Sequence, residues 1–199
     1  MITRKEMTRM LLKEGLLSCL ANNSFESVTV TSLCKASGIT RSTFYLHYSN
    51  IMEIVDDLVD DAIAYSKPGM VDNNNLQTIA NTLSAASNSV SLREAYDSIF
   101  DRLPLCQRII RHKKYLPLFL DEQISEYVLQ RIIGREKDRQ GFVMAESLGV
   151  SFDVGVSVFV FLVHGLYAVN KQYKWSQSDE WLEAQKIIFE LVYRGLQSR

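Results

Sequence analysis

The sequence predicts an all-α chain, with a small N-terminal three-helix unit followed by a larger helical body. Three observations predict it. Glycine and proline are scarce, 9 and 3 of 199 residues, too few for the many tight turns of a sandwich or barrel. Hydrophobic residues make up 47% of the chain, enough for a sizeable core and too many for disorder. Where apolar residues cluster they recur at i, i+3 and i+4, the period of a helix buried on one face.

The elements follow in order. Between residues 3 and 22, Met7, Met10, Leu11, Leu17 and Leu20 fall at near-helical spacing while Arg4, Lys5, Arg9 and Lys13 fall elsewhere. The run NNSFESV interrupts that pattern. Thr29 is placed to cap a second helix that carries Leu33 and Cys34 inward and stops at Gly38. Thr40 is placed to cap a third, over 41–48. From Ile51 the apolar set Ile54, Val55, Leu58, Val59, Ala62 and Ile63 keeps the i, i+3, i+4 rule. Glu53, Asp56, Asp57, Asp60 and Asp61 occupy the opposite side, which is expected to be a solvated helix face.

KPGMVDNNN, residues 67–75, reads as a domain boundary. Beyond it helices are expected near 76–88, 91–102, 105–113, 116–133, 152–173 and 178–197, with GREKDRQGF (134–142) as a polar linker. VSVFVFLV (156–163) has strand propensity, but nothing nearby pairs with it, so a buried helix is expected. The predicted domains are 1–50, a connecting helix at 51–66, and 67–199.

Composition narrows the function classes. Residues 1–50 hold six Lys/Arg against three Asp/Glu, and 51–199 hold sixteen against twenty. A basic head on an acidic body suits a small nucleic-acid-binding module joined to a separate partner domain. Cys19, Cys34 and Cys106 are odd in number and lack CxxC spacing, so buried free thiols in a reducing compartment are expected. Lys13 and Glu14 interrupt the N-terminal apolar stretch and argue against a signal peptide. The most apolar stretch, 154–169, has sixteen residues, short of the roughly 18 to 20 of a membrane span. A soluble, cytoplasmic protein without membrane contact is therefore expected. His47, His112 and His164 have no metal spacing with one another or with the cysteines. No paired carboxylates, Ser/His/Asp set or glycine-rich nucleotide fingerprint is visible, so neither catalysis nor a cofactor is expected.

The functional signal lies between Thr29 and Tyr48. A helix-turn-helix needs two short helices joined by a tight bend, with apolar residues facing inward on both. Leu33, Cys34, Gly38, Ile39 and Phe44 supply that skeleton, with Cys34 where a small side chain is required and Gly38 at the bend. The following helix would enter a major groove by its N-terminal end. Arg41 there is suited to a bidentate bond to a guanine edge. Ser42, Thr43, Tyr45, His47 and Thr29 are suited to phosphate, and Leu46 to a thymine methyl.

The stretch ESVTVTSLCKASGITRSTFYLHYSNIMEIV resembles the N-terminal DNA-binding domain of the TetR family of transcriptional regulators. Thr29 and Val30 match the family's "TV" opening of the second helix, and Gly38, Thr43, Phe44, Tyr45 and Tyr48 match its recognition-helix signature. The resemblance implies phosphate contacts from Tyr45 and His47, with Phe44 and Tyr48 locking the recognition helix to the core. One position departs: where the family usually carries a lysine at the start of its fourth helix, this chain has Ile51. That loss removes one backbone contact and flattens the salt dependence of binding by about one unit.

The resemblance also implies an all-helical second domain that dimerises through its last two long helices and binds a small effector. The apolar excess of those helices agrees, and Phe159, Trp181, Phe189 and Val192 are expected at the dimer interface. Tyr115, Phe119, Phe161 and His164 are the candidate lining of an effector pocket. The expected function is a homodimeric regulator, a repressor released by a small-molecule effector, bound to a palindromic operator in double-stranded DNA. The alternative is a similar protein acting mainly through protein partners, or as a ligand-bound coactivator with weak DNA binding.

Overall fold

The computed structural model describes residues 3–66, 75–103, 107–108 and 113–197. Among the described residues there are ten helices and no strand, so the chain is all-α. The helices are α1 (Arg4–Asn22), α2 (Val30–Ser37), α3 (Arg41–Tyr45), α4 (Ile51–Tyr65) and α5 (Asn75–Ser84). They continue as α6 (Ser89–Ser98), α7 (Leu116–Leu120), α8 (Ser125–Leu148), α9 (Phe152–Gln172) and α10 (Asp179–Gln197). The predicted boundary at 67–75, most of the expected helix 105–113, Cys106 and His112 lie outside the described residues, apart from Asn75, which opens α5.

The chain divides into two compact units, Met1–Tyr65 with His112–Gly134, and Ser66–Arg111 with Arg135–Arg199. This differs from the expected division at 50 and 66. The first unit keeps α4 and takes in a second segment, because α1 packs against α4 and α7 as well as α2. Leu12, Leu16, Leu17 and Leu20 of α1 are buried with Leu33, Phe44, the apolar face of α4, Leu118 and Phe119. Met7, Met10 and Leu11, read from the spacing as part of the inward stripe, are exposed instead. Thr3 starts α1 with a reciprocal cap: Glu6 N–H donates to the Thr3 hydroxyl (3.2 Å), and Thr3 N–H donates to the Glu6 carboxylate (2.8 Å).

Two predicted breaks fall elsewhere. The expected helix 116–133 is interrupted at Asp121, whose carboxylate accepts from the backbone N–H of Phe25 (2.7 Å), Gln123 (3.0 Å) and Ile124 (3.2 Å). A carboxylate that satisfies local backbone donors ends one helix and starts the next. Conversely, the expected linker 134–142 is the middle of α8. Arg135, Glu136, Lys137, Arg139 and Gln140 are all good helix formers, and polarity alone does not break a helix.

In the second unit α10 packs against α5 and α6. Ile79, Leu83, Leu92, Tyr96, Ile99, Leu103, Leu166, Trp181, Leu182 and Phe189 form its core. Helices α8 and α9 meet at two glycines. A Cβ on Gly155 would lie 2.3 Å from the Gly141 carbonyl and 2.7 Å from Ala145 N, and one on Gly141 would lie 2.4 Å from Val156 Cγ2. The expected helices 76–88 and 91–102 are shorter, ending at Ser84 and at Ser98 before a 3-10 turn, Phe100–Arg102.

Helix α9 was expected to be buried, yet Phe152, Val154 and Phe161 stand exposed along it. At 21 residues it is, among the described residues, the one helix long and apolar enough to cross a membrane, where the apolar stretch alone looked too short. The interface residues read from the sequence are also corrected. Trp181 and Phe189 lie in the core of the second unit, Phe159 is buried, and all three offer little surface to a second copy, while Val192 is half-buried.

Candidate nucleic-acid interface

Local chemistry builds the bend in the first unit. Thr29 caps α2 reciprocally with Ser32: the Ser32 N–H donates to Thr29 Oγ1 (3.1 Å) and the Thr29 N–H to Ser32 Oγ (2.9 Å). Helix α2 ends at Gly38, which sits in the left-handed region at φ 66°, ψ 25°. The Ile39 N–H then donates to the Cys34 carbonyl (3.0 Å), closing the C-terminal turn. A side chain at position 38 would oppose that conformation. Two residues later Thr40 caps α3, accepting from Thr43 N–H at 3.2 Å.

Helix α3 is shorter than the predicted 41–48. After Tyr45 the chain turns, and the Phe44 carbonyl accepts from both His47 N–H (2.9 Å) and Tyr48 N–H (3.0 Å). The predicted core residues Leu33, Cys34, Phe44 and Tyr48 are buried, and Ile39 is half-buried. Burial raises the Cys34 thiol pKa, which suits a packed side chain and not a reactive one.

The same helix turns the predicted contact residues outward. Thr29, Arg41 and Ser42 are exposed, Tyr45 is 53% exposed and Leu46 80%. Thr43 is half-buried, and its hydroxyl and that of Ser42 both bond the Thr40 hydroxyl, at 2.8 and 3.0 Å. Those two therefore stabilise the helix start as well as face outward.

His47 is placed differently from the expectation of a surface phosphate contact. It is half-buried and lines a cleft of about 280 Å³ with Arg9, Tyr48, Glu53, Asp56 and Asp57, and its Nδ1 is buried without a hydrogen-bond partner. The turn after Tyr45 carries it off the exposed face of α3.

What holds α3 in place is a three-residue latch that the sequence alone did not reveal. The buried Tyr48 hydroxyl donates to Asp57 Oδ2 at 2.6 Å. Arg9 donates to the same oxygen through Nε (3.1 Å) and Nη2, and its guanidinium lies over the Tyr48 ring, 4.9 Å from the centroid. The Phe44 ring meets Tyr45 edge-on at 5.1 Å and Tyr48 at 6.3 Å. Burial pushes the Asp57 carboxyl upward, but the bonds from Arg9 and Tyr48 outweigh it and hold the carboxyl below its ordinary range. Burial, followed by the bond to Asp57, pushes the Tyr48 phenol upward.

The acidic side of α4 is accordingly more than a solvated face. Asp57 binds Arg9, Asp61 binds Lys13, and Asp56 accepts from the Tyr127 hydroxyl at 2.6 Å. Arg131 lies 3.5 Å from Asp56 and 3.7 Å from Asp60. Arg9 and Lys13 are thus engaged inside the unit, while Arg4, Lys5, Lys35 and Arg41 remain exposed.

The candidate pocket residues are divided between the two units. Tyr115 and Phe119 are buried in the first unit. In the second, Phe161 is 73% exposed and His164 half-buried. The described residues hold no group of three or more His, Cys, Asp or Glu placed to bind a metal ion. No protein-family model matches the chain, and no curated protein is significantly similar to it.

Proposed function

We propose that the chain is a DNA-binding transcriptional regulator of the TetR type that works as a homodimer. The observation that carries this is the division of labour on α3. Phe44 and Tyr48 are anchored, at 0% and 3% exposure, while Arg41, Ser42, Tyr45 and Leu46 are offered to solvent on the same short segment. A helix held rigidly with a basic, aromatic and apolar edge outward suits a major groove. There arginine reads guanine, an apolar tip meets a thymine methyl, and hydroxyls hold phosphate. The exposed cations Arg4, Lys5 and Lys35 add sequence-independent attraction.

Such a helix reads only a few base pairs, so a two-fold pair addressing half-sites about 34–36 Å apart is the natural operator complex. A second copy of this chain is the occupant that best suits the open faces of α9 and α10, where Val154, Phe161, Ile187 and Leu191 are exposed. These replace Phe159, Trp181 and Phe189 as interface residues. Repression, with release by a small effector, completes the proposed role.

Gel-shift and footprinting at low salt against DNA flanking its own gene test this. A palindromic site is expected, and Arg41→Ala should weaken it by about 1–3 kcal/mol per half-site. Lys35→Ala should instead lower the salt slope without changing sequence preference. Phe161→Asp with Leu191→Asp should give monomers by light scattering. No site at low salt, together with an Arg41→Ala protein indistinguishable from the parent, would overturn the proposal. A protein partner recovered on the intact α3 surface would then favour the alternative, which Ile51 and the acid-lined cleft beside His47 motivate.

A further inference from the structure

The direction of each side chain on α3 follows from the anchor at Phe44. Successive residues of a helix are turned by about 100°, and Leu46, which caps the helix, still has helical backbone at φ −75°, ψ −17°. Phe44, at 0% exposure, marks the inward direction. Ser42 and Leu46 lie two residues before it and two after it, so each is turned about 200° away and points straight outward. They are four residues apart and stack into one ridge. Arg41 and Tyr45, also four apart, fall on one flank of that ridge, and half-buried Thr43 falls on the other. The Tyr45 ring agrees with a flank position, meeting Phe44 edge-on at 5.1 Å.

The two ridge residues differ in what they offer a base. The Thr40 hydroxyl bonds both the Ser42 hydroxyl (3.0 Å) and the Thr43 hydroxyl (2.8 Å), and it accepts from Thr43 N–H (3.2 Å). A hydroxyl has one proton to give. The two hydroxyl–hydroxyl bonds use two of the three protons, so Ser42 and Thr43 keep at most one between them. Ser42 is thus tied back to the start of the helix, and Leu46 stands as the tip of the ridge at 80% exposure. An exposed leucine is ordinary by itself. One aimed directly away from the anchor, on the face offered to DNA, is placed to meet the floor of the groove.

The length of the segment fits as well. From Arg41 to Leu46 the helix rises about 7.5 Å, less than the roughly 12 Å width of a major groove, so both ends enter together. At about 3.4 Å per base pair that rise spans about two steps.

We infer that Leu46 sets base preference on this face through the C5-methyl of a thymine, so that each operator half-site carries a T·A pair about two steps from the G·C pair read by Arg41. The methyl is the feature of the major-groove edge that an apolar tip can distinguish. Tyr45, on the flank, is placed for phosphate, which fixes register and carries no sequence information. The preference rests on the DNA-binding role proposed above.

Selection of bound sequences from a randomised duplex library at low salt, with the full chain, tests this. An enriched half-site holding those two pairs at that spacing is expected. Replacing its thymine by uracil deletes one methyl and leaves every hydrogen bond in place. The parent should then bind about fourfold more weakly per half-site, the contribution of one buried methyl-sized group. Leu46→Ala should bind the thymine and uracil duplexes equally. Arg41→Ala should accept other bases at the guanine and still prefer thymine to uracil. The uracil duplex probes the parent itself, so that arm does not depend on how a variant folds. An enriched sequence without the T·A pair at that spacing would overturn the inference and leave the regulator standing. So would a parent that binds uracil as tightly as thymine, or a folded Leu46→Ala protein that still tells them apart. No enriched sequence at all sinks the regulator, and the role of Leu46 with it.

Discussion

Replacing Tyr48 by phenylalanine isolates the latch that holds α3. The substitution keeps the ring beside Phe44 and beneath Arg9 and removes one hydroxyl, which donates to Asp57 Oδ2 at 2.6 Å. A hydrogen bond to a charged acceptor contributes about 1.5–3 kcal/mol. Asp57 keeps 25% of its side chain in water and Arg9 36%, so solvent replaces part of what is lost, and about 1–2 kcal/mol is expected. Asp57→Ala should cost more, about 2–4 kcal/mol, because it strands the buried Tyr48 hydroxyl and frees Arg9. The two changes remove one shared bond, so the double variant should fall short of additivity by about 1–2 kcal/mol. Urea denaturation followed by helical circular dichroism reads all four proteins, and for chains of this size each kcal/mol appears as about 2–4 °C in thermal melts. If Tyr48→Phe stays within about 0.5 kcal/mol of the parent, or the two losses simply add, the hydroxyl does not hold Asp57 and the anchoring of α3 must be sought elsewhere.

Other perturbations have defined outcomes. Because the Asp57 carboxyl titrates below its ordinary range in the folded chain, its contribution is complete above the ordinary aspartate value of about 3.9 and is lost as pH falls through the depressed folded value. Asp57→Asn should therefore flatten the acid limb of a stability-versus-pH curve, and an unchanged limb would deny the shift. Gly155→Ala sets a methyl carbon 2.3 Å from the Gly141 carbonyl and 2.7 Å from Ala145 N, both backbone atoms that cannot swing aside. Overpacking of about 1–3 kcal/mol or more should exceed the roughly 1 kcal/mol gained in helix propensity, so thermal melts should shift downward. Gly38→Ala meets no atom within 4 Å but must hold φ at 66°. A loss of about 1 kcal/mol is expected, with Gly38→Asn milder, measured by the same denaturation series.

How far the molecule could be read from its sequence depended on the range of the interaction. Thr29, Gly38 and Thr40 act within four residues of themselves, so their caps and the bend were visible in the spacing alone. The latch was not, because Arg9, Tyr48 and Asp57 come from three segments, and the aspartate looks like any other on a charged helix face. The same reasoning covers the errors in the body. Asp121 breaks a helix because its carboxylate accepts from the Phe25 N–H, 96 residues away, as well as from its own turn. GREKDRQGF resembles a linker by composition, but its Gly141 lies in close contact with Gly155 and Val156 of α9. Trp181 and Phe189 were assigned outward because the last helix has more apolar surface than one face needs, and periodicity cannot say which of two apolar faces a neighbour will cover. The structure places those two inside and leaves Ile187 and Leu191 out. A second copy packing on α10 would therefore meet Ile187 and Leu191 and not Trp181 and Phe189, and the size of the side chain is the wrong guide. In this helix Trp181, Leu182 and Phe189 fill the core while Ile187 and Leu191 face outward, so charge substitutions aimed at Trp181 would unfold the unit, whereas those at Leu191 would test association alone.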